Sequence, residues 1–156
     1  MTPMQAALQQ ARDAAARGEV PVGALLLAPD GAVLAAAGNE VEARHDASAH
    51  AEMLVLRAAA AAIGSTRLEG CTLVVTLEPC PMCAAAASHF RVARVLFGAY
   101  DPKGGGIEHG PRLYEQPGCL HRPQVVGGVD EREAGTLLRD FFTALRHAGN
   151  GSGQAG

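Results

Sequence analysis

Short apolar runs that alternate with amphipathic segments organise the start of this 156-residue chain. Residues 2–17 repeat apolar side chains at helical spacing, which predicts a helix that ends at Gly18. Residues 20–27 form an apolar run typical of a strand, and residues 32–37 form a second one. Between these runs, Pro29-Asp30-Gly31 is a turn sequence. We therefore expect an opening helix followed by an antiparallel hairpin.

The middle of the chain continues the alternation of helix and strand. Residues 40–47 are polar and predict a loop. Residues 48–63 then predict a helix with Ser48 as its N-cap, because a serine hydroxyl accepts from the free N–H groups of a first turn. Residues 72–77 are a continuous apolar run, which is typical of a strand buried on both faces.

The second half adds two helices and a long loop. Residues 80–90 predict a helix, and residues 92–98 predict the next strand. Residues 101–123 contain five Gly and four Pro and predict a long loop with one short helix near residues 112–115; loops of this length are usually functional. A short edge strand at residues 125–126 follows.

The last predicted helix spans residues 130–147, with Asp130 as its N-cap. Four apolar side chains at helical spacing are expected to face the core: Leu137, Leu138, Phe141 and Leu145. Together these elements predict an α/β protein of three layers, α/β/α, around a mixed sheet of about five strands. Residues 1–148 are expected to form a single domain, and the Gly/Ser-rich residues 149–156 a disordered tail.

Composition narrows the class of protein. A hydrophobic fraction of 48% excludes disordered and collagen-like chains. The net charge of -3 does not favour nucleic-acid binding, so any such role needs a local basic area. Residues 91–122 supply a modest one, with five basic and three acidic side chains. There is neither a signal-peptide pattern nor an apolar run of membrane-spanning length, so a cytoplasmic location without a membrane partner is expected.

A split motif carries the chemistry: His50-Ala51-Glu52, then Pro79-Cys80-Pro81-Met82-Cys83. Each half falls at a predicted helix start, where the N–H groups favour thiolates. His50, Cys80 and Cys83 offer three zinc ligands and leave a fourth position for water, as in catalytic rather than structural zinc sites. Glu52 is the unligated carboxylate that moves protons. The pattern is typical of zinc deaminases that act on bases.

Other interpretations of the motif are weaker. A lone C-x-x-C pair also occurs in redox sites and in one half of a structural zinc knuckle. A knuckle needs a second pair, and the remaining cysteines, Cys71 and Cys119, have no such spacing. Cys71 begins a predicted buried strand, and Cys119 is assigned no role. The conjunction of both halves favours the catalytic zinc site.

Several stretches together resemble the bacterial tRNA-specific adenosine deaminase family, from about residue 19 to residue 142. They are Glu19-Val20-Pro21-Val22-Gly23-Ala24, Gly38-Asn39, Ala49-His50-Ala51-Glu52, Val75-Thr76-Leu77-Glu78-Pro79-Cys80, Met82-Cys83-Ala84, Phe97-Gly98-Ala99-Tyr100-Asp101-Pro102-Lys103 and the double phenylalanine Phe141-Phe142. The resemblance implies a cytidine-deaminase-like fold. It also implies hydrolytic deamination of the wobble adenosine of a tRNA anticodon loop to inosine, in which zinc-activated water attacks C6.

The resemblance also implies partners and site residues. It implies one Zn²⁺ per subunit, a homodimer, the ligands His50, Cys80 and Cys83, and Glu52 as the proton shuttle. Asn39 matches a residue that contacts the flipped nucleoside, although Asn in a turn needs no such role. The remaining substrate contacts that it implies are Asp101, Lys103 and Phe142.

The chain departs from the family pattern mainly in the loop Gly104-Gly105-Gly106-Ile107-Glu108-His109-Gly110, away from the metal motif. Two alternatives stay open on the sequence. One is a deaminase of a free nucleobase or nucleoside, such as guanine, cytosine or cytidine, on the same fold. The other is a non-catalytic zinc module, which would leave Glu52 without a role.

Overall fold

The computed structural model describes residues 1–152, with the backbone alone at residues 150–152. The helices and strands, in chain order, are α1 (Pro3–Ala16), β1 (Gly23–Leu27), β2 (Val33–Gly38), α2 (Val41–Arg44), α3 (Ala51–Ile63), β3 (Thr72–Leu77), α4 (Pro81–His89), β4 (Arg94–Ala99), β5 (Gln124–Val126) and α5 (Glu131–Ser152). A short 3-10 helix, Leu113–Glu115, lies in the long loop before β5. Among the described residues, no helix is long and apolar enough to cross a membrane.

One mixed sheet of five strands holds the molecule together, in the order β2-β1-β3-β4-β5. Strand β1 is antiparallel to both β2 and β3, whereas β3, β4 and β5 are parallel. The opening hairpin is the cause of the mixed character, as the sequence predicts. The α/β class and the five-stranded sheet are therefore confirmed.

The two faces of the sheet bury two separate apolar clusters, because side chains alternate along each strand. Leu26, Leu73 and Val75 pack on one face with residues of α3 and α4. Leu25 and Val74 point to the other face, where α1 and the start of α5 cover them. The result is the three-layer α/β/α arrangement.

The polar segment after β2 differs from the prediction. It contains the four-residue helix α2, Val41–Arg44, instead of only a loop. The N–H groups of Glu42 and Ala43 donate to the two carboxylate oxygens of Glu19, at 3.0 and 2.9 Å. A residue more than 20 positions away thus caps this helix, and no local pattern marks it.

The predicted cap of α3 is also wrong. His50 occupies the N-cap position, and Ser48 lies in the turn before it. Both the backbone N–H and the hydroxyl of Ser48 donate to Asp46 Oδ1, at 2.8 and 2.7 Å. Ser48 therefore bonds to Asp46 in a local turn and does not cap the helix as the sequence predicted.

Helix α5 departs from the prediction in three ways. It continues to Ser152, so that residues 149–152 of the predicted tail are helical, while residues 153–156 lie outside the described residues. Asp130 has φ 52, a left-handed conformation instead of the extended backbone typical of an N-cap. The expectation that Leu145 faces the core is wrong, because it is 57% exposed.

Candidate active site

Two helix starts meet at one end of the sheet and bring the halves of the motif together. His50 is the N-cap of α3 and Cys80 is the N-cap of α4, both with extended backbone. Neither side chain forms the hydrogen bond that an N-cap residue usually makes to its own helix. Both side chains are therefore free to bind something else.

The three predicted metal ligands form one cluster. His50 Nδ1 lies 3.6 Å from Cys80 Sγ and 3.4 Å from Cys83 Sγ, and all three atoms lie within 4.8 Å of one another. Tetrahedral zinc with ordinary bond lengths separates an imidazole nitrogen and a thiolate by about 3.5 Å. The donor set and its spacing therefore suit zinc. It is the one such cluster in the described part of the chain.

Proton sharing within the cluster leaves one cysteine ready to act as a thiolate. The hydrogen bond to Cys83, followed by the one to His50, lowers the pKa of Cys80 to about 4. The same bond to Cys80, together with burial, raises the pKa of Cys83. Hydrogen bonding to Cys80 raises the pKa of His50. A bound metal requires both thiolates, so metal binding here releases protons.

Glu52 lies beside these ligands in the first turn of α3 and is only 4% exposed. Burial raises the pKa of its carboxyl group from 4.5 to about 7, and the nearby His50 opposes that shift. A carboxyl group with a pKa near neutrality both accepts and returns protons at the pH of a cell. Its position agrees with the predicted role of proton shuttle.

A cavity of about 570 Å³ opens over this cluster. Six of the eight predicted site residues line it: Asn39, His50, Glu52, Cys80, Asp101 and Phe142. Cys83 is fully buried beneath it, and Lys103 is exposed outside the lining. A larger groove of about 920 Å³ between α1 and α5 has neither His nor Cys, so the chemistry belongs to the smaller cavity.

Asn39 is held in a defined orientation at the wall of this cavity. Its Oδ1 accepts from the N–H of Ala51, at 2.8 Å, in the first turn of α3. The side-chain oxygen is thereby used, so the NH₂ group is the part of Asn39 left to donate to a ligand. Asn39 thus satisfies one of the free N–H groups in the first turn of α3.

Asp101 and Lys103 differ in their surroundings. Asp101 is half-buried at the cavity, and its Oδ1 accepts from the N–H groups of Lys103 and Gly104, at 3.2 and 2.9 Å. This turn presents the Lys103 side chain to solvent. The structure therefore brings Asp101 to the cavity and leaves Lys103 outside it.

Part of the cavity lining is apolar and comes from α5. The rings of Phe141 and Phe142 pack edge to face, with centroids 5.4 Å apart. Phe141 is half-buried, whereas Phe142 is 40% exposed and Leu145 is 57% exposed. An aromatic edge thus stands open to solvent above the cavity.

Two buried carboxylates at the cavity were assigned no role from the sequence. Glu19 caps α2, as described above, and Glu78 accepts hydrogen bonds from the loop that follows β4. Both occur in stretches that carry the family resemblance. A charged residue within an apolar stretch was the available signal, because such residues are rarely buried without partners.

Comparison with known proteins identifies the group. Residues 2–99 match the family model described as the cytidine and deoxycytidylate deaminase zinc-binding region. A tRNA-specific adenosine deaminase of Agrobacterium fabrum is 50% identical over 92% of this chain and 93% of its own length. That of Bacillus subtilis is 48% identical over 92% of this chain and 88% of its own length. The chain belongs to the tRNA-specific adenosine deaminase family. Zinc binding is thus a property of the matched region, and the cluster at His50 fits it.

A solved structure supports the same assignment to tRNA-specific adenosine deaminases. It comes from a study of A-to-I editing by tRNA:A34 deaminases at the wobble position of transfer RNA. The two chains share 49% identity with a TM-score of 0.85, over 87% of this chain and 98% of the other. The cytidine-deaminase-like fold that the resemblance implied is therefore confirmed.

Proposed function

We propose that this chain is an enzyme that hydrolytically deaminates the wobble adenosine of a tRNA anticodon loop to inosine. The observation that carries the proposal is the buried Glu52, with a pKa near 7, beside a three-donor zinc cluster in an open cavity. A structural zinc site closes its coordination with four protein ligands and has no use for such a carboxyl group.

The chain would hold one zinc ion per subunit through His50, Cys80 and Cys83. Zinc in such a site lowers the pKa of a water molecule in its open position and so supplies a nucleophile at neutral pH. The position of Cys80 and Cys83 at the start of α4 supports this ligand set, because a helix N-terminus stabilises thiolates.

Glu52 would move the protons. A carboxylate oxygen of Glu52 would accept one proton from the attacking water and transfer it to a ring nitrogen of adenine. It would then take the second proton, from the new hydroxyl group on C6, and pass it to the departing amine, which leaves as ammonia. Burial supports this role, because it raises the carboxyl pKa of Glu52 toward neutrality. The reaction consumes water and releases ammonia.

The cavity wall would orient the base. Asn39 offers its NH₂ group as a donor to the ring, since its oxygen is already bonded to Ala51. Bases of an RNA loop can leave their stack and pack against aromatic side chains, which suits Phe142 at the rim. In this proposal, Asp101 accepts a hydrogen bond from a nucleoside hydroxyl, and the exposed Lys103 contacts a phosphate.

The alternative, a deaminase of a free nucleobase or nucleoside, is less well supported. Such an enzyme encloses its small substrate, whereas the rim of this cavity carries the exposed side chains of Phe142 and Leu145. A homodimer and a cytoplasmic location remain part of the proposal.

The test uses zinc-loaded protein and an anticodon stem-loop with adenosine at the wobble position. Free adenosine, guanine and cytidine are incubated in parallel. We expect inosine in the RNA and negligible turnover of the free compounds. Turnover of a free base or nucleoside, with none of the RNA, would contradict the proposal and favour the alternative.

A further inference from the structure

Glu78 is a buried carboxylate that the proposed chemistry does not use. It lies between the end of β3 and the first zinc ligand of α4, and its side chain is 0% exposed. A buried carboxylate is costly unless it is well supplied with hydrogen-bond donors. The donors that surround Glu78 therefore indicate what it holds in place.

All of those donors come from one loop, residues 101–109. Oε1 of Glu78 accepts from the backbone N–H of Asp101, at 3.1 Å, and contacts Nδ1 of His109 at 2.8 Å. Oε2 accepts from three consecutive N–H groups, those of Ile107, Glu108 and His109, at 3.2, 2.9 and 3.1 Å. Burial raises the pKa of Glu78, but these donors outweigh it and hold the pKa below its ordinary value.

The same loop is pressed against the start of α4. The N–H of Gly106 donates to the carbonyl of Pro79 at 2.8 Å. A Cβ atom on Gly106 would lie 2.6 Å from the backbone nitrogen of Pro81, and one on Gly105 would overlap Oε2 of Glu78. Only glycine allows the loop to pass this close.

The loop also forms part of the proposed substrate wall. Asp101 and Gly104 line the cavity over the zinc cluster, at the start of the segment that Glu78 binds. Glu78 lies two positions before Cys80, so one residue ties the loop to the helix that carries two of the three metal donors. The position of the wall relative to the metal thus depends on this carboxylate.

We infer that Glu78 is a positioning residue, which clamps the loop at residues 101–109 onto the start of α4 and so sets where Asp101 and Gly104 meet the RNA. This inference rests on the proposed function for the identity of the substrate. It also gives a role to the unusual Gly104–Gly110 sequence: the glycines allow the approach, and His109 adds a side-chain partner to the clamp.

The decisive variant is Glu78→Gln, in zinc-loaded protein. The amide keeps the size of the side chain, but its NH₂ group faces N–H donors and cannot accept from them. We expect KM for the anticodon stem-loop to rise by about tenfold or more, with kcat within about threefold and bound zinc unchanged, because a KM effect alone marks lost binding. Amide hydrogen exchange should become faster in residues 101–110.

Thr76→Val is the matched control. Thr76 lies in β3, two positions before Glu78, is 1% exposed, and its hydroxyl accepts from the N–H of Gly23 at 3.1 Å, away from the loop. Loss of this hydroxyl should lower Tm without changing KM or the rate of amide hydrogen exchange in the loop. If Glu78→Gln behaves like this control, Glu78 is only a stabilising residue and the inference is overturned; a collapse of kcat at unchanged KM, or a loss of zinc, also overturns it.

A second variant keeps the test decisive if Glu78→Gln fails to fold. Gly105→Ala leaves the carboxylate intact and displaces the loop from it, so the same rise in KM and the same faster exchange are expected. Unchanged KM and exchange in Gly105→Ala would contradict the inference. Failure of the proposed function is separable: wild-type protein would then not deaminate the stem-loop, whereas loop exchange would still report the clamp.

Discussion

Glu52 and Glu78 are both buried at the same cavity, yet their surroundings give them opposite properties. Glu52 is 4% exposed, and burial raises its pKa to about 7. Glu78 is 2% exposed, and backbone N–H groups with His109 hold its pKa below the ordinary value. Burial alone therefore does not decide what a carboxyl group does. In our proposals, the supply of donors separates Glu52, which exchanges protons, from Glu78, which holds the loop backbone.

The largest expected effect of this contrast is on turnover. Glu52→Gln removes the proton carrier and should lower kcat by about 10²- to 10⁴-fold, the usual contribution of general acid–base catalysis. Zinc content should stay the same, because Glu52 is outside the ligand cluster. Single-turnover rates on the stem-loop, with zinc measured by metal analysis, check this. Glu133→Gln, an exposed residue of α5, is the control; near-normal turnover by Glu52→Gln would refute the assignment.

The next effect is on stability, and it follows the sign of the Glu52 shift. A raised folded pKa means that the folded protein binds the proton more tightly than the unfolded chain does. The free energy of unfolding therefore falls as pH rises from 4.5 to about 7. In metal-free protein held in chelator, the free energy of unfolding of wild type should fall by up to about 3 kcal/mol relative to that of Glu52→Gln over that window. Denaturant unfolding at several pH values measures this difference. A difference independent of pH would show that Glu52 has an ordinary pKa.

Glu78 should give the opposite dependence on pH. Its folded pKa is depressed, so its contribution is present above the unfolded value of 4.5 and is lost as pH falls through the folded pKa. Glu78→Gln should cost about 1–3 kcal/mol at pH 7, the usual cost of unpaired buried donors. That cost should shrink as pH falls below 4.5 under the same chelating conditions. If the destabilisation by Glu78→Gln instead grew as pH fell, the opposite pKa shifts of Glu52 and Glu78 would be contradicted.

The smallest effect concerns a charge outside the cavity. Lys103 is exposed, so it serves as a reference for what an unburied contact contributes. Lys103→Ala should reduce the slope of log kcat/KM against log salt by at most about one unit, because one phosphate contact is removed. Rates on the stem-loop from low to moderate salt test this. An unchanged slope would show that Lys103 does not contact an RNA phosphate.

The sequence predicted what local pattern can encode. The run of apolar residues at 72–77 predicted β3 with its bounds, and the antiparallel hairpin predicted the mixed sheet. The spacing of His50, Cys80 and Cys83 at helix starts anticipated the cluster, since a helix start orients its first side chains toward the same end of the sheet.

What the sequence did not predict depends on distant partners. Helix α2 exists because Glu19 accepts its first N–H groups, and Ser48 lost the cap because Asp46 competes for it. Leu145 has a core-facing spacing, yet it is 57% exposed and lines the cavity. The role of Glu78 needs the folded loop, because each of its donors lies more than 20 positions away.

The close passage of Gly105 and Gly106 also bears on how this pocket can be remodelled. Any side chain at these positions meets Glu78 or the start of α4. Gly105 and Gly106 should therefore not tolerate substitution by larger residues. New substrate preferences should arise mainly from lining residues with exposed side chains, which are Glu42, Phe142 and Leu145. A library randomised at those three positions should yield more folded, zinc-binding variants than one randomised across the glycines.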